Sequence, residues 1–387
     1  MNVLSVIHYP VFGGPHNRNI QVAPLLREQG VNTIILLPND HGNAADRIRA
    51  AGVEVVQISL GRIRTKYNLW LHAQYFIQLW SNVRAIRKLI RDRNIQVVQI
   101  NGLLNPHAAI AAKLEGIPVV WQILDTFPPM LLRRILMPMV TYLADVIMCT
   151  GEKVAREHPG ATTKQDRLLT FFPPVNLEKF KPNLDKRMQA RFELDIQEND
   201  VVVGNVSNIN PMKGHIWFIR AAALLRKTLP NARFVILGVV GSTGGEYAQQ
   251  LWSEAERLGL RLGMELIVLD PGNRVADLEQ AFDIFWMTPE PQSEGIPTVI
   301  EEAMTLGLPV IAADVGSICE VVTDGVTGFV VPVHDPEAIA EATYTLVHDD
   351  SMMTEFSQSA RQCAIDKFSS SSCAAQHLLA YEIALGI

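Results

Sequence analysis

Two doubly wound α/β domains joined by a proline-rich segment are the fold class predicted by this sequence, and three observations predict it. Short continuous apolar runs alternate with helical ones, the pattern of parallel strands covered by helices on both faces. The series restarts near residue 200. Between the two series, "FFPPVNLEKFKPN" holds three prolines and reads as an extended hinge. A length of 387 residues suits two domains.

In order, "NVLSVIHYP" predicts a strand, a Gly-Gly loop follows, and "NRNIQVAPLLREQG" predicts a helix. "NTIILLP" is a second strand, "RIRAAG" a helix and "EVVQISL" a third strand. After a long basic segment come the strand "IQVVQI", the helix "PHAAIAAKLEG", and the strands "PVVWQIL" and "VIMCT". The second series opens with the strand "DVVVGNVSN", the helix "WFIRAAALLRKTL" and the strand "ARFVILG". It continues through "YAQQLWSEAERLG", "ELIVLD", "RVADLEQAF", "IFWMTP", a helix after Pro297, "PVIAAD" and "GFVVP". The last segment, "CAAQHLLAYEIAL", is helical. Two such domains facing each other leave a cleft, and ligands of open α/β sheets sit beyond the carboxyl ends of the strands.

Composition narrows the function. Hydrophobic residues make up 48%, ample for two cores, and the net charge of −6 argues against a general nucleic-acid binder. Cys149, Cys319, Cys363 and Cys373 are scattered, without a C-x-x-C pair, which suits neither a disulfide framework nor a zinc site. "MNVLSVIHYPVF" lacks the pattern of a secretory signal, and no stretch reaches 18 uninterrupted apolar residues. A cytoplasmic protein is expected.

Four loops carry candidate chemistry. In "PVFGGPHN", Gly13 and Gly14 let backbone N–H groups approach an anion at a helix start. His16 there either contacts a substrate hydroxyl or caps the turn. In "SNINPMKGH", Lys213 sits where its ammonium suits a phosphate. Gly238, Gly241 and Gly244 in "LGVVGSTGG" fit neither the dinucleotide nor the P-loop spacing, so a flexible surface loop is expected. In "SEGIPTVIEEAM", Pro297 suits a first helical position, and Gly295 permits close approach to the N–H groups that follow. A carboxylate beside them accepts from two vicinal hydroxyls at once, as a ribose or hexose presents. Complementing the helix dipole explains Glu301 but poorly explains Glu294 in a glycine loop.

Here a family becomes visible. Glu294 and Glu302, seven residues apart in E-G-x-P…E-A-M, resemble the E-x7-E signature of retaining glycosyltransferases. "GLPVIAADVGSICEVVTDGVTGFVVP", "NPMKG" and "FFPPVNLEKFKP" are similar to family 4 of these enzymes, and the similarity spans nearly the whole chain. The resemblance implies a GT-B fold: two facing Rossmann-like domains with an interdomain cleft and a C-terminal crossover helix. It implies an acceptor domain over 1–172, a hinge over 173–183, a donor domain over 184–365 and a final helix over 366–387, crossing back around Tyr381.

The resemblance further implies a metal-independent, retaining transfer of a sugar from a nucleotide-diphosphate donor. The acceptor would be a saccharide, lipid-linked or small molecule, as in polysaccharide biosynthesis. Glu302 would grip the ribose, Glu294 would orient the donor sugar, and Gly295, Ile296, Pro297 and Thr298 would touch sugar and phosphate. Lys213 would neutralise the leaving diphosphate, joined by Gly13 and Gly14. The chain departs from the family in three places. Asn208 replaces the usual arginine before the lysine, Gln99 and Asn101 replace an H-x-H, and Leu124 with Asp125 replaces His-Asp. Asn101, Asp125, His107 and His16 are the candidates for sugar or acceptor contact in their stead. A catalytically weak binding or scaffold subunit, and a sugar-nucleotide epimerase, are the rival readings.

Residues 62–93 hold eight Lys/Arg against one Asp, a net of +7. Leu69, Trp70, Ala73, Phe76, Ile77, Trp80 and Val83 recur at helical spacing. Packing on the first sheet is the first expectation, and peripheral contact with the inner face of a membrane the second.

Overall fold

The computed structural model describes residues 1–60, 69–104, 106–126, 128–163, 165–241, 245–291 and 295–387, with the helix over 69–77 described by its backbone alone. Glu294 and Gly244 lie outside the described residues, as do the side chains of the apolar stripe before residue 78. The chain forms two compact units, Met1–Pro174 with Ser370–Ile387, and Val175–Ser369. Each is a wholly parallel sheet with helices packed on it, the Rossmann-like architecture of the GT-B fold.

The first unit runs β1 (Asn2–Ile7), α1 (Gly14–Glu28), β2 (Asn32–Pro38), α2 (Ala44–Ala50), β3 (Glu54–Ile58), α3 (Leu69–Asp92) and β4 (Val97–Asn101). It continues with α4 (Pro106–Leu114), β5 (Val119–Ile123), α5 (Met130–Leu143), β6 (Val146–Cys149), α6 (Glu152–Glu157) and β7 (Leu168–Thr170). The strand order is β3-β2-β1-β4-β5-β6-β7. Side chains alternate across the sheet. Leu4, Val6, Val98, Ile100, Trp121 and Ile123 therefore face α3, α4 and α5, whose Val83, Ile86, Ala108 and Met137 complete one core. The packing expected of the basic helix thus holds for its described part, while Trp80 is 59% exposed. Its arginines also tie helices together: Arg87 and Arg91 both bind Glu115, at 2.6 and 2.7 Å.

The second unit runs α7 (Leu184–Glu193), β8 (Val201–Val206), α8 (His215–Thr228), β9 (Ala232–Leu237), α9 (Gly245–Arg257), β10 (Leu266–Leu269) and α10 (Val275–Leu278). Then come β11 (Ile284–Met287), α11 (Thr298–Thr305), β12 (Val310–Ala313), α12 (Ile318–Val321), β13 (Gly328–Val331), α13 (Pro336–Val347) and α14 (Asp350–Lys367). The strand order is β10-β9-β8-β11-β12-β13. Phe218, Leu225, Leu251, Ile339 and Leu346 from α8, α9 and α13 pack around Trp286 and Phe234 on one face. The last helix, α15 (Ser370–Leu385), returns to the first unit and packs on α1.

In both sheets the strand order reverses once, between β1 and β4 and between β8 and β11. Successive connections leave such a point in opposite directions, which opens a crevice at the carboxyl ends of those two strands. Close packing under the second crevice depends on Gly204 in β8. A Cβ there would lie 2.0 Å from the fully buried ring of Phe282. Gly204→Ala should therefore cost about 1–3 kcal/mol by overpacking. Thermal denaturation should register this as a drop of about 2–4 °C per kcal/mol, and an unchanged melting temperature would show that Phe282 can yield.

Candidate functional site

The loops leaving β8 and β11 meet at the second crevice. After β8, Asn210 caps a single 3-10 turn, Pro211–Lys213, accepting at 3.0 Å from the Met212 N–H. Gly214 closes that turn at φ +61, and a Cβ on it would lie 1.8 Å from the Thr288 carbonyl oxygen. Only glycine allows both the left-handed backbone and this approach. Lys213 is half-buried at the end of that turn, two residues before α8 begins. Asn208 is exposed in the same loop. Gly238, expected in a flexible surface loop, is instead packed, because a Cβ there would lie 1.9 Å from the Ser207 carbonyl oxygen.

After β11 the chain leads to α11. Pro297 is its N-cap rather than its first residue, with an extended ψ of 114° that turns the chain into the helix at Thr298. The Ile300 N–H bonds to the Pro297 carbonyl at 3.0 Å. The N–H groups of Thr298 and Val299 are left without a partner inside the helix, as at any helix start. Gly295 and Ile296, just before them in the chain, are half-buried. The Gly295 carbonyl is anchored by the Ser317 N–H at 3.0 Å.

The carboxylates that follow are unusual in their burial. Glu301 is 0% exposed, and neither of its oxygens has a hydrogen-bond partner among the described residues. Burial pushes its carboxyl well above the ordinary range, assisted by Glu302, so it is no exposed complement to the helix dipole. Glu279 is equally buried and unpartnered, and it too is pushed up by burial and by Glu302. Glu302 keeps partial access to solvent. Burial raises it to about 7, with the Lys179 ammonium pulling it back. The three carboxyls and Lys179 form one electrostatic group at the base of α11. Lys179 lies in the hinge motif "FFPPVNLEKFKP" and Glu279 in none, and nothing short of the fold marks them as neighbours of Glu302.

In the first unit, the loop after β1 is closed on itself. The Gly13 N–H donates to His16 Nδ1 at 3.1 Å, and His16 Nε2 donates to the Tyr9 carbonyl at 3.1 Å. Both imidazole nitrogens are spent on the turn, and burial lowers the imidazole to about 4. Of its two readings, His16 is therefore the cap and not a substrate contact. Gly13 is likewise committed, and the Gly14 N–H is the one left to face an anion. Asn101 is also corrected: it is fully buried, accepts from Arg18 at 2.6 Å, and donates to Ser5 Oγ and the Val6 carbonyl at 3.0 and 3.1 Å. His107 is fully buried in the first turn of α4, and burial, with a smaller effect of His8, lowers its imidazole to about 4. Asp125 alone of the four substitutes is exposed, close enough to Tyr9 to act on it electrostatically.

Ser5, Gln99, Asn101 and Gln122 share one face of three adjacent strands, a polar row in otherwise apolar strands. Arg18 reaches Asn101 and Gln122 from α1, while His377 meets Gln122 at 2.9 Å and Tyr381 donates to Gln99 at 2.5 Å from α15. The positions that depart from the H-x-H pattern thus form the seat of the C-terminal helix.

Comparison with known proteins gives this geometry a family. Residues 12–179 match "Glycosyltransferase Family 4" and residues 186–363 match "Glycosyl transferases group 1". The chain belongs to glycosyltransferase family 4. A D-inositol 3-phosphate glycosyltransferase of Corynebacterium urealyticum is 30% identical over 60% of this chain and 55% of its own length. A GDP-mannose-dependent alpha-(1-6)-phosphatidylinositol monomannoside mannosyltransferase of Mycolicibacterium smegmatis is 27% identical, covering 73% of this chain and 75% of its own. The chain spans about half the length of the inositol-phosphate relatives it matches. The structure of Anabaena HepE in complex with UDP superimposes with a TM-score of 0.82 at 20% identity, covering 98% of this chain and 99% of that one, which shows the GT-B fold.

For this family 4 chain the raised Glu302 has a measurable consequence. Its folded value of about 7 lies above the ordinary 4.5, so its contribution to stability is complete below pH 4.5 and is lost as pH rises through 7. The loss amounts to about 3 kcal/mol. Glu302→Gln should match wild type in denaturant melts at pH 4.5 and exceed it at pH 8. Parallel pH profiles of the two proteins would place Glu302 in water.

Proposed function

We propose that the protein is a retaining glycosyltransferase, moving a sugar from a nucleoside-diphosphate donor bound by the second unit. The observation that carries this reading is the grouping of Glu302, the free N–H groups of α11 and Lys213 around one strand-end crevice. Glu302, once ionised, accepts from both ribose hydroxyls. The α11 start and Lys213 place positive charge on the diphosphate, where negative charge grows as the glycosidic bond breaks. In a front-face substitution the acceptor oxygen bonds to the anomeric carbon as the phosphate leaves, and the leaving phosphate oxygen takes the acceptor's proton. Lys213 and Glu294 would be the catalytic residues, Glu294 orienting the sugar. With these charges in place the transfer is expected to proceed without a metal.

The relatives support a polyol acceptor of the inositol-phosphate or phosphatidylinositol class, within the wider range of saccharide, lipid-linked and small-molecule acceptors. In the first unit, the Gly14 N–H and the Asp125 carboxylate are the groups exposed for it. A lipid-linked acceptor would bring the protein to the inner face of a membrane. No described helix is long and apolar enough to cross one, so the contact would be peripheral, through exposed Trp80 and the cations of α3.

The test is a transfer assay with UDP- and GDP-sugars and inositol 3-phosphate, in chelator, read by NMR of the new anomeric centre. A glycosidic bond with the donor's configuration is expected. Lys213→Ala should lower kcat at least 100-fold, and Glu302→Ala should raise the donor KM. An isomerised donor without a new bond would identify an epimerase, and binding without turnover a scaffold subunit. Gly14→Ala separates fold from ligand, because nothing lies within 4 Å of the added Cβ. It should leave the melting temperature unchanged while weakening transfer.

A further inference from the structure

The loop that carries Lys213 is fastened from outside as well as from within. Asn210 and Pro211 close its single 3-10 turn, and the loop after β11 grips that turn on either side of Lys213. The Glu290 N–H donates to the Met212 carbonyl at 3.0 Å, one residue before Lys213. Thr288 Oγ donates to the Gly214 carbonyl at 3.2 Å, one residue after it. Lys213 is thus bracketed on both sides by the β11 loop.

The Glu290 side chain extends the fastening to two further elements. Its Oε1 accepts from Trp217 Nε1 at 2.9 Å, on the first turn of α8. Its Oε2 accepts from His334 Nε2 at 2.7 Å, in the turn between β13 and α13. His334 is held at φ +61, a left-handed conformation that a residue with a side chain adopts only when its surroundings impose it. Its ring stacks on Trp217 at 4.6 Å between centroids and 27° between planes. On the same indole, Arg220 lies 5.1 Å from the ring centroid while pairing with Glu254 at 3.0 Å. Glu290 therefore joins the β8 loop through its backbone N–H, and α8 and the β13–α13 turn through its carboxylate.

A surface glutamate with no structural duty would not command an indole, an imidazole in a strained turn and a loop backbone together. We propose that Glu290 is a positioning residue of the donor site, fixing Lys213 where the phosphates of a nucleoside diphosphate bind. The proposal rests on the reading of the second unit as a donor site. Glu290 acts through Lys213, so its loss should fall on phosphate recognition and leave base and ribose recognition alone. The Glu290 side chain is held by α8 and the β13–α13 turn before any ligand arrives, which keeps its backbone N–H on Met212 and lowers the ordering cost of Lys213 on binding.

The experiment measures affinity for UDP and for uridine, or for GDP and guanosine if guanine is preferred, by calorimetry on the full chain. Glu290→Ala should weaken the diphosphate at least tenfold and leave the nucleoside unchanged. In a Lys213→Ala background it should have no further effect, because the two residues would act as one unit. Glu290→Gln, which keeps an acceptor for Trp217, should stay within a few-fold of wild type, and Trp217→Phe should fall between. Equal losses for diphosphate and nucleoside, or losses that add to those of Lys213→Ala, would reduce Glu290 to a stabilising residue and overturn the proposal. Wild-type diphosphate affinity in Glu290→Ala would overturn it alone, whereas a wild-type protein that binds no nucleoside diphosphate overturns the donor reading along with it.

Discussion

The pairing of β8 with β11 sets where every donor-side group of this protein ends up. Val203 lies opposite Ile284 and Gly204 opposite Phe285, so the two strands finish nearly level. One crossover then leaves toward α8 and the other toward α11, because the strand order reverses between them. Lys213 and the start of α11 are brought to one crevice by that reversal, from positions more than eighty residues apart in the chain. At Gly204, Gly214 and Gly238 alike, a single methyl group would force the arrangement apart. The GT-B fold here is less a container than a means of aligning two loop ends.

Both units bury charge, in different ways. In the first, Arg18 is 4% exposed and its hydrogen bonds go to the amide oxygens of Asn101 and Gln122, with the Phe171 ring 4.9 Å from its guanidinium carbon. A buried cation met by neutral partners is costly, and the polar row that satisfies it also fixes α15 through His377 and Tyr381. In the second, Glu279 and Glu301 are buried without partners and Glu302 sits among them. Here the low dielectric keeps Glu302, the proposed ribose ligand, near its point of titration. A diol that hydrogen-bonds to the ionised carboxylate is recognised by shifting that balance.

Much of this was legible from sequence, and the exceptions have physical causes. The long apolar strands declared themselves, since strands buried on both faces need no partner to be recognised. β7 did not, being three residues at a sheet edge, and α7 did not, because Leu184, Met188 and Phe192 on it are exposed. The motif residues Lys213, Gly295 and Glu302 stand at the crevice because their loops are short and glycine-bounded. Residue type cannot report burial: of its two readings His16 takes the cap, and the structure commits Asn101 to bonding, and His107 to burial, within the fold. Glu290 carried no motif at all, and only three-dimensional neighbours from α8 and the β13–α13 turn reveal its connections.

The central claim is that Glu302, poised near neutrality, reads the ribose of a nucleoside diphosphate. Calorimetry of UDP or GDP binding in buffers of different ionisation enthalpy tests it most directly, with Glu302→Gln as the reference for protons exchanged by the ligand itself. Fixing the carboxylate in its ionised form should release up to about half a proton at pH 7, fading toward pH 9. That release should be missing from Glu302→Gln, with weaker binding. Equal proton exchange and equal affinity in the two proteins would contradict the account.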